Sequence, residues 1–161
     1  MTKPGTDLLS AIKETMGDAW LPQIYRDRIL KMRTRSYEFA PLPSNPAPQI
    51  QHTLLGIELK VGRRRMLCPD LATARYLSVF ARVGCQSVAI PYDITKISQV
   101  ADELESSWHR MLLLADGLVG NLVAQTLIRR TLIAKVREEI AAAGSGPRNP
   151  EFEHNTKKRR Q

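Results

Sequence analysis

The stretch ELKVGRRRMLC, residues 58–68, alternates apolar and polar side chains up to a glycine, continues with three arginines and ends in an apolar run. Alternation with a period of two is typical of a strand that has one buried face. Gly62-Arg63 fits a two-residue turn of type II′, in which the first position favours glycine because its φ is positive. The sequence therefore predicts a β-hairpin that runs from Ile57 to Cys68.

This turn also predicts how the two strands pair. It places Leu59 opposite Met66 on the apolar face and Lys60 opposite Arg65 on the polar face. Two like charges that face each other across a sheet repel, and a bound anion would relieve that repulsion. Taken alone, however, the triplet of residues 63–65 is better explained as a solvated turn that discourages edge pairing; contact with phosphate groups is the alternative.

The segments that follow the hairpin predict a helix, a strand and two more helices. The first helix begins after Asp70, a capping residue, and ends at Gly84. The next segment, CQSVAIPY, residues 85–92, is rich in β-branched residues and predicts a strand that joins the sheet of the hairpin through a crossover. A helix capped by Asp93 or Thr95 follows, and a last helix runs from about residue 118 to 143.

Two helices and a linker are predicted before the hairpin. Thr6 can cap a short helix, and a second helix begins at Pro22 and continues through QIYRDRILKMRTRSYEF, residues 23–39. Residues 40–49, APLPSNPAPQ, contain four prolines, which exclude a helix or an internal strand. The expected division is an N-terminal helical arm (1–39), a proline-rich linker (40–50), an α+β core domain (51–143) and a disordered basic tail (144–161).

The predicted fold class is α+β. We expect an N-terminal helical arm and a small three-stranded sheet, built from the hairpin, a helix and a strand, that the C-terminal helices cover. The apolar share of 43% is sufficient for a core without disulfides or metals.

The charge of the chain favours an anionic partner. Its 24 lysines and arginines exceed its 16 acids, for a net charge of +8. Such an excess is typical of proteins that bind nucleic acid, a membrane surface or an acidic protein. No stretch approaches the apolar length of a membrane span, and the N-terminus lacks an apolar targeting segment, so a cytoplasmic protein is expected.

Three basic clusters favour nucleic acid among these partners. They are the helical segment of residues 26–35, the hairpin tip and the terminal run of residues 157–160. Contact with phosphate needs only such cations, whereas base readout needs a matched set of polar side chains, and none can be named. The residues expected to bind DNA or RNA are Lys60, Arg63, Arg64, Arg65, Arg26, Arg33 and Arg35.

The last helix supports a different hypothesis, in which the chain binds a protein partner. Its apolar residues spread around the helix axis instead of holding one face, so the helix is either buried on several sides or covered by a partner or a second copy of the chain. The chain would then be a homodimer, or a subunit or assembly factor of a larger complex. The expected interface residues are Leu122, Leu127, Ile128, Leu132 and Val136.

Catalysis, metal binding and cofactor binding have little support in the sequence. The three histidines are far apart, the two cysteines form no metal-binding pattern, and no phosphate-binding loop or nucleophile motif is present. An enzyme with scattered catalytic residues is the remaining alternative. We therefore predict a non-enzymatic protein with no catalytic residues, no metal and no cofactor.

Overall fold

The computed structural model describes residues 4–39 and 48–146, and the α+β class is confirmed in these residues. A one-turn helix at Leu21–Ile24 continues into a π-helical turn at Tyr25–Ile29. The elements are α1 (Pro4–Met16), α2 (Leu21–Ile24), β1 (Thr34–Glu38), β2 (Gln49–Thr53), β3 (Gly56–Val61), β4 (Arg64–Cys68), α3 (Leu71–Val83), β5 (Ser87–Pro91), α4 (Ile94–Leu118) and α5 (Leu122–Ala143). Most of the predicted linker and tail lies outside the described residues.

The hairpin formed by β3 and β4 has the predicted register. Leu59 lies opposite Met66, Lys60 lies opposite Arg65, and Gly62 has a positive φ of 62° at the turn. The strand that completes this sheet is β2, which pairs with β3 on the other side. The sequence analysis did not identify β2, because Ile50 is its only large apolar residue and prolines precede it.

A second sheet pairs β1 with β5 in antiparallel register, so that Arg35 lies opposite Ile90. Two predictions are therefore wrong. The helix expected through residue 39 ends at Ile29, and residues 34–38 form a strand. The third strand of the hairpin sheet is β2, and β5 belongs to the other sheet. Tyr37 and Thr34 suit a strand, and β5 provides the hydrogen-bonding partner that local sequence cannot reveal.

The main-chain groups of Ala89 in β5 point away from β1. The N–H of Tyr92 donates to the carbonyl of Arg33 at 3.1 Å, so Tyr92 and Arg33 are a hydrogen-bonded pair. Hydrogen-bonded and non-hydrogen-bonded pairs alternate along an antiparallel sheet, and Ala89 therefore belongs to a non-hydrogen-bonded pair. Two tyrosine hydroxyls bond to these main-chain groups instead. The hydroxyl of Tyr25 accepts from the N–H of Ala89 at 2.8 Å, and the hydroxyl of Tyr76 donates to the carbonyl of Ala89 at 2.5 Å. Burial raises the pKa of Tyr25 to about 12, so this hydroxyl keeps its proton.

The predicted caps of α3 and α4 are confirmed, whereas the predicted cap Thr6 is wrong, because α1 begins at Pro4 and Thr6 lies within it. The carboxylate of Asp70 accepts from the N–H of Thr73, and Gly84 ends α3 with a φ of 88°. Asp93 caps α4 in the same way, through the N–H of Thr95. The last helix begins at Leu122, four residues later than predicted, because the side chain of Asn121 caps it.

Glu139 on α5 holds the N-terminal elements in place. Its carboxylate accepts from the indole nitrogen of Trp20 at 3.0 Å and from Lys13 at 3.3 Å, and Arg26 lies 3.5 Å away. Burial opposes ionisation of this carboxyl, but the hydrogen bonds from Trp20 and Lys13 lower its pKa below the ordinary value. The N-terminal segments are thus tied to the last helix through one ionised side chain.

Replacing Glu139 with glutamine should lower the free energy of unfolding near pH 7 by about 1–2 kcal/mol, because hydrogen bonds to a charged group are stronger than neutral ones. The folded pKa of this carboxyl is depressed, so its contribution is present above the unfolded pKa and is lost as the pH falls through the folded pKa. Urea unfolding at about pH 7 and about pH 3 should therefore show a difference between wild type and variant that shrinks in acid. The exposed neighbour Glu138, changed to glutamine, is the control; an equal loss there would contradict this role.

Candidate nucleic-acid interface

The hairpin tip projects cations from a buried base. Leu59, Val61 and Cys68 are buried on the inner face of the sheet, which packs on α3. Residues 63–65 are exposed, and Lys60 is half-buried. The apolar residues fix the strands in the core, so the tip holds its arginines at a defined place on the surface.

The outer face of this sheet carries a row of polar side chains across all three strands. Residues paired directly across an antiparallel sheet project on the same side. Because Gln49 pairs with Lys60 and Lys60 pairs with Arg65, these three side chains lie next to one another on the outer face. Gln51 occupies the next row, opposite Glu58. The sequence analysis missed both glutamines; the alternation of Gln49, Ile50 and Gln51 is the signal that could have revealed them.

A side chain on the inner face of the hairpin contacts the second sheet. Arg64 and Met66 project on the same side of β4, and Arg35 and Tyr37 project on the same side of β1. The hydroxyl of Tyr37 donates to the sulfur of Met66 and so joins the two strands. Burial raises the pKa of Tyr37, as does the nearby Cys68, while the charges of Arg64 and Arg35 oppose the rise. The Tyr37–Met66 contact thus brings together the face of β1 that carries Arg35 and the face of β4 that carries Arg64.

The strand cations lack acidic partners, whereas many helix cations have them. Arg28 pairs with Glu103, Arg75 pairs with Asp102 and Glu105, and Arg129 pairs with Asp116. In residues 4–39 and 48–146, none of five strand and turn cations forms an ion pair: Arg35, Lys60, Arg63, Arg64 and Arg65. Six helix cations of the described chain also form no ion pair, so the strand cations are distinguished by position, because four of them share one hairpin tip.

The other residues that were predicted to contact phosphate lie away from the tip or outside the described residues. Arg26 bonds to Gln23 and lies beside Glu139, on the side of α1 and α5. Arg33 precedes β1, and its guanidinium lies over the ring of Tyr92, 5.2 Å from the ring centre. The basic run of residues 157–160 lies outside the described residues.

No family model, curated protein or solved structure matches this chain. The function is therefore inferred from the surface itself. Among the helices of the described chain, none is long and apolar enough to cross a membrane. In the same residues, no group of three or more histidine, cysteine or acidic side chains could hold a metal ion.

The structure separates the predicted partner interface into two groups. Ile128, Leu132 and Val136 are buried inside the chain, at 5% exposure or less, and a partner could reach them only if α5 moved. Leu122 and Leu127 are 76% and 55% exposed. Three further exposed apolar residues lie near the junction of α4 and α5: Leu113, Leu118 and Val123.

A groove of about 800 Å³ lies between α2 and α4. Its charged lining includes Asp102, Glu103 and Arg28. Arg28 pairs with Glu103, and Arg75 outside the groove pairs with Asp102. These ion pairs account for three of the six charged residues in the lining; Asp27 accepts a hydrogen bond from the amide of Gln23, and Asp18 and Arg110 form no ion pair in the described residues.

Replacing Gly62 with alanine should lower the free energy of unfolding by about 1–2 kcal/mol, because a side chain other than glycine is strained at a positive φ. A Cβ atom at this position would have no neighbour within 4 Å, so the cost is conformational and not steric. Asparagine tolerates this backbone region better than alanine, and Gly62→Asn is the matched control with a smaller expected loss. Urea unfolding of both variants measures the difference; equal losses would argue against a turn strained at this residue.

Proposed function

We propose that this protein is a non-enzymatic nucleic-acid-binding protein that contacts phosphate groups through its sheet surface. The observation that carries the proposal is the set of strand cations without acidic partners around the hairpin tip. A simple solvated turn explains three consecutive arginines. It does not explain why Arg35, from a distant part of the sequence, shares a face of β1 with Tyr37, whose hydroxyl contacts Met66 of the hairpin.

Clustered cations without acidic partners repel one another, and a polyanion offsets this repulsion. Each lysine or arginine that neutralises a phosphate also releases condensed counterions, so the affinity falls as salt rises. The expected slope of log K against log salt is about −0.9 per phosphate contact on B-form DNA. Binding of this type depends on the position of the charges and needs little base readout.

The direct test changes Arg63, Arg64 and Arg65 together to alanine. We expect affinity for labelled nucleic acid to fall at least about tenfold at low salt, and the magnitude of the salt slope to fall by about 2.7, because three phosphate contacts are lost. Fluorescence anisotropy across a salt series measures both quantities.

The matched control changes three exposed helix cations, Lys96, Arg110 and Arg130, to alanine. Its net charge therefore equals that of the tip variant. It should change affinity and slope much less than the tip variant does. Equal losses in the two variants would show that net charge alone causes binding, and no binding by the wild type at low salt would refute the proposal.

The second candidate function is association through the junction of α4 and α5. The observation in its favour is the group of exposed apolar residues that includes Leu122 and Leu127. Exposed apolar clusters of this kind are typical of protein interfaces. A second copy of the chain is the simplest occupant, because a two-fold interface uses the same surface twice.

Light scattering on the wild type should show a dimer if this second candidate is correct, and Leu122→Gln with Leu127→Gln should yield a monomer. The control is Leu54→Gln with Leu55→Gln, which changes two even more exposed leucines in the turn between β2 and β3. That variant should remain dimeric. A monomeric wild type at high protein concentration would exclude self-association.

A further inference from the structure

A small cavity of about 160 Å³ lies between α3, α4 and the start of β2. Ser78 and Arg82 line it from α3, and Trp108 and His109 line it from α4. The apolar side chain of Ile50 closes it on the side of the sheet. Residues four apart on a helix lie on the same face, so Ser78 and Arg82 reach the cavity together. Two helices thus place four polar side chains around one small space.

Two of these side chains are almost fully buried, yet they have no hydrogen-bonding partner. Ser78 is 7% exposed and Trp108 is 6% exposed. Among the residues that the structure describes, neither the Ser78 hydroxyl nor the Trp108 indole N–H forms a hydrogen bond, whereas the indole of Trp20 donates to Glu139. Neither atom is sealed from solvent as Oγ1 of Thr34 is, so both open on the space that their residues line. Buried indole N–H groups usually have a partner, and here an occupant of the cavity can provide it.

The other two polar residues of the cavity, Arg82 and His109, are exposed. Within residues 4–39 and 48–146, Arg82 forms no ion pair and His109 forms no hydrogen bond. A guanidinium is always charged and only donates, and an imidazole carries at least one N–H in either protonation state. The cavity therefore combines one fixed positive charge with several N–H and O–H donors.

Among the described residues that line the cavity, one is acidic, Glu105, and its carboxylate is already engaged. Both of its oxygens accept from Arg75, at 3.0 Å and 2.5 Å. Hydrogen bonds to Glu105 and to Asp102 raise the pKa of Arg75 above its ordinary value, so this guanidinium stays charged. The charge that an entering ligand meets without an opposing partner is consequently that of Arg82.

The size of the cavity and its donors suit a small oxyanion. Its volume equals that of about five water molecules at about 30 Å³ each, whereas drug-sized ligands need about 300–1,000 Å³. A phosphate group, in which four oxygens surround one phosphorus atom, is of this size. Water could bond to the donors, but it would leave the charge of Arg82 unopposed. An anion opposes this charge and accepts charge-assisted hydrogen bonds, which are stronger than neutral ones.

We infer that this cavity binds a phosphate group, either as free inorganic phosphate or as the phosphate of a small ester. Arg82 offsets the charge of the group, and Ser78, Trp108 and His109 donate hydrogen bonds to its oxygens. The site uses none of the cations of the hairpin tip. The inference therefore goes beyond the proposed function and does not depend on it.

The test follows the two indole N–H signals of isotope-labelled protein by NMR while inorganic phosphate is added at constant ionic strength. The signal of Trp108 should shift and saturate, because its N–H gains an acceptor. The signal of Trp20 should stay in place, because Glu139 already accepts from that indole, and it serves as the internal reference. The spectrum of Trp108→Phe assigns the two signals.

Two variants test the residues that hold the group. Ser78→Ala and Arg82→Gln should each weaken phosphate binding at least about tenfold, because each removes a hydrogen bond to a charged ligand. Arg130→Gln, which removes an exposed cation from α5, is the matched control and should bind phosphate as the wild type does. Urea unfolding should show that Ser78→Ala is at least as stable as the wild type, since the hydroxyl that it removes has no partner.

Separate titrations with a nucleoside monophosphate and with acetate identify the class of ligand. Tighter binding of the monophosphate would support a phosphate ester, and tighter binding of inorganic phosphate would support the free anion. Three results would overturn the inference: no saturable shift of the Trp108 signal, acetate binding as tight as that of phosphate, or unchanged affinity in Ser78→Ala and Arg82→Gln. Loss of the shift when residues 63–65 are changed to alanine would also overturn it, because phosphate would then bind at the hairpin tip.

Discussion

The rest of the structure depends on how the peptide groups of Ala89 are satisfied. This residue is fully buried in a strand that, among the residues the structure describes, pairs with one other strand, and an unpaired buried peptide group costs about 1–3 kcal/mol. Tyr25 and Tyr76 satisfy its N–H and carbonyl from two separate helical segments. The same hydroxyl of Tyr25 donates to the carbonyl of Gly144 at 2.6 Å, so the end of α5 is fixed at this point as well.

Sequence predicted the elements that local pattern specifies. The hairpin and its register follow from period-two alternation and one glycine, and α3 and α4 follow from their aspartate caps. Local pattern could not predict β1, because its arginines continue an apparently helical segment and its strand partner is some fifty residues away. The position of Lys60 and residues 63–65 at one tip was therefore predictable. The contact of β1 with the hairpin through Tyr37 and Met66 was not predictable, because the position of β1 depends on its pairing with β5.

The location of the acids shapes the candidate interface as much as the location of the cations. On the helices, acids on one element pair with arginines on another, and these pairs connect α3 to α4 and α4 to α5. At the hairpin tip, by contrast, Lys60 and residues 63–65 form no ion pair in the described residues, so the tip keeps its positive charge. Several charges of one sign at one place raise the local concentration of a polyanion and direct its approach.

The hydrogen bond between Tyr25 and Gly144 has a practical meaning for the boundary of the domain. Ser145 reinforces it, since its hydroxyl accepts from that of Ser36 on β1 at 3.0 Å. A fragment that stops at Ala143, where the last helix ends, would lose both contacts and loosen a tyrosine that shields a strand edge. Unshielded edges recruit other strands and promote aggregation. An expressible fragment of this protein should therefore extend through Gly146.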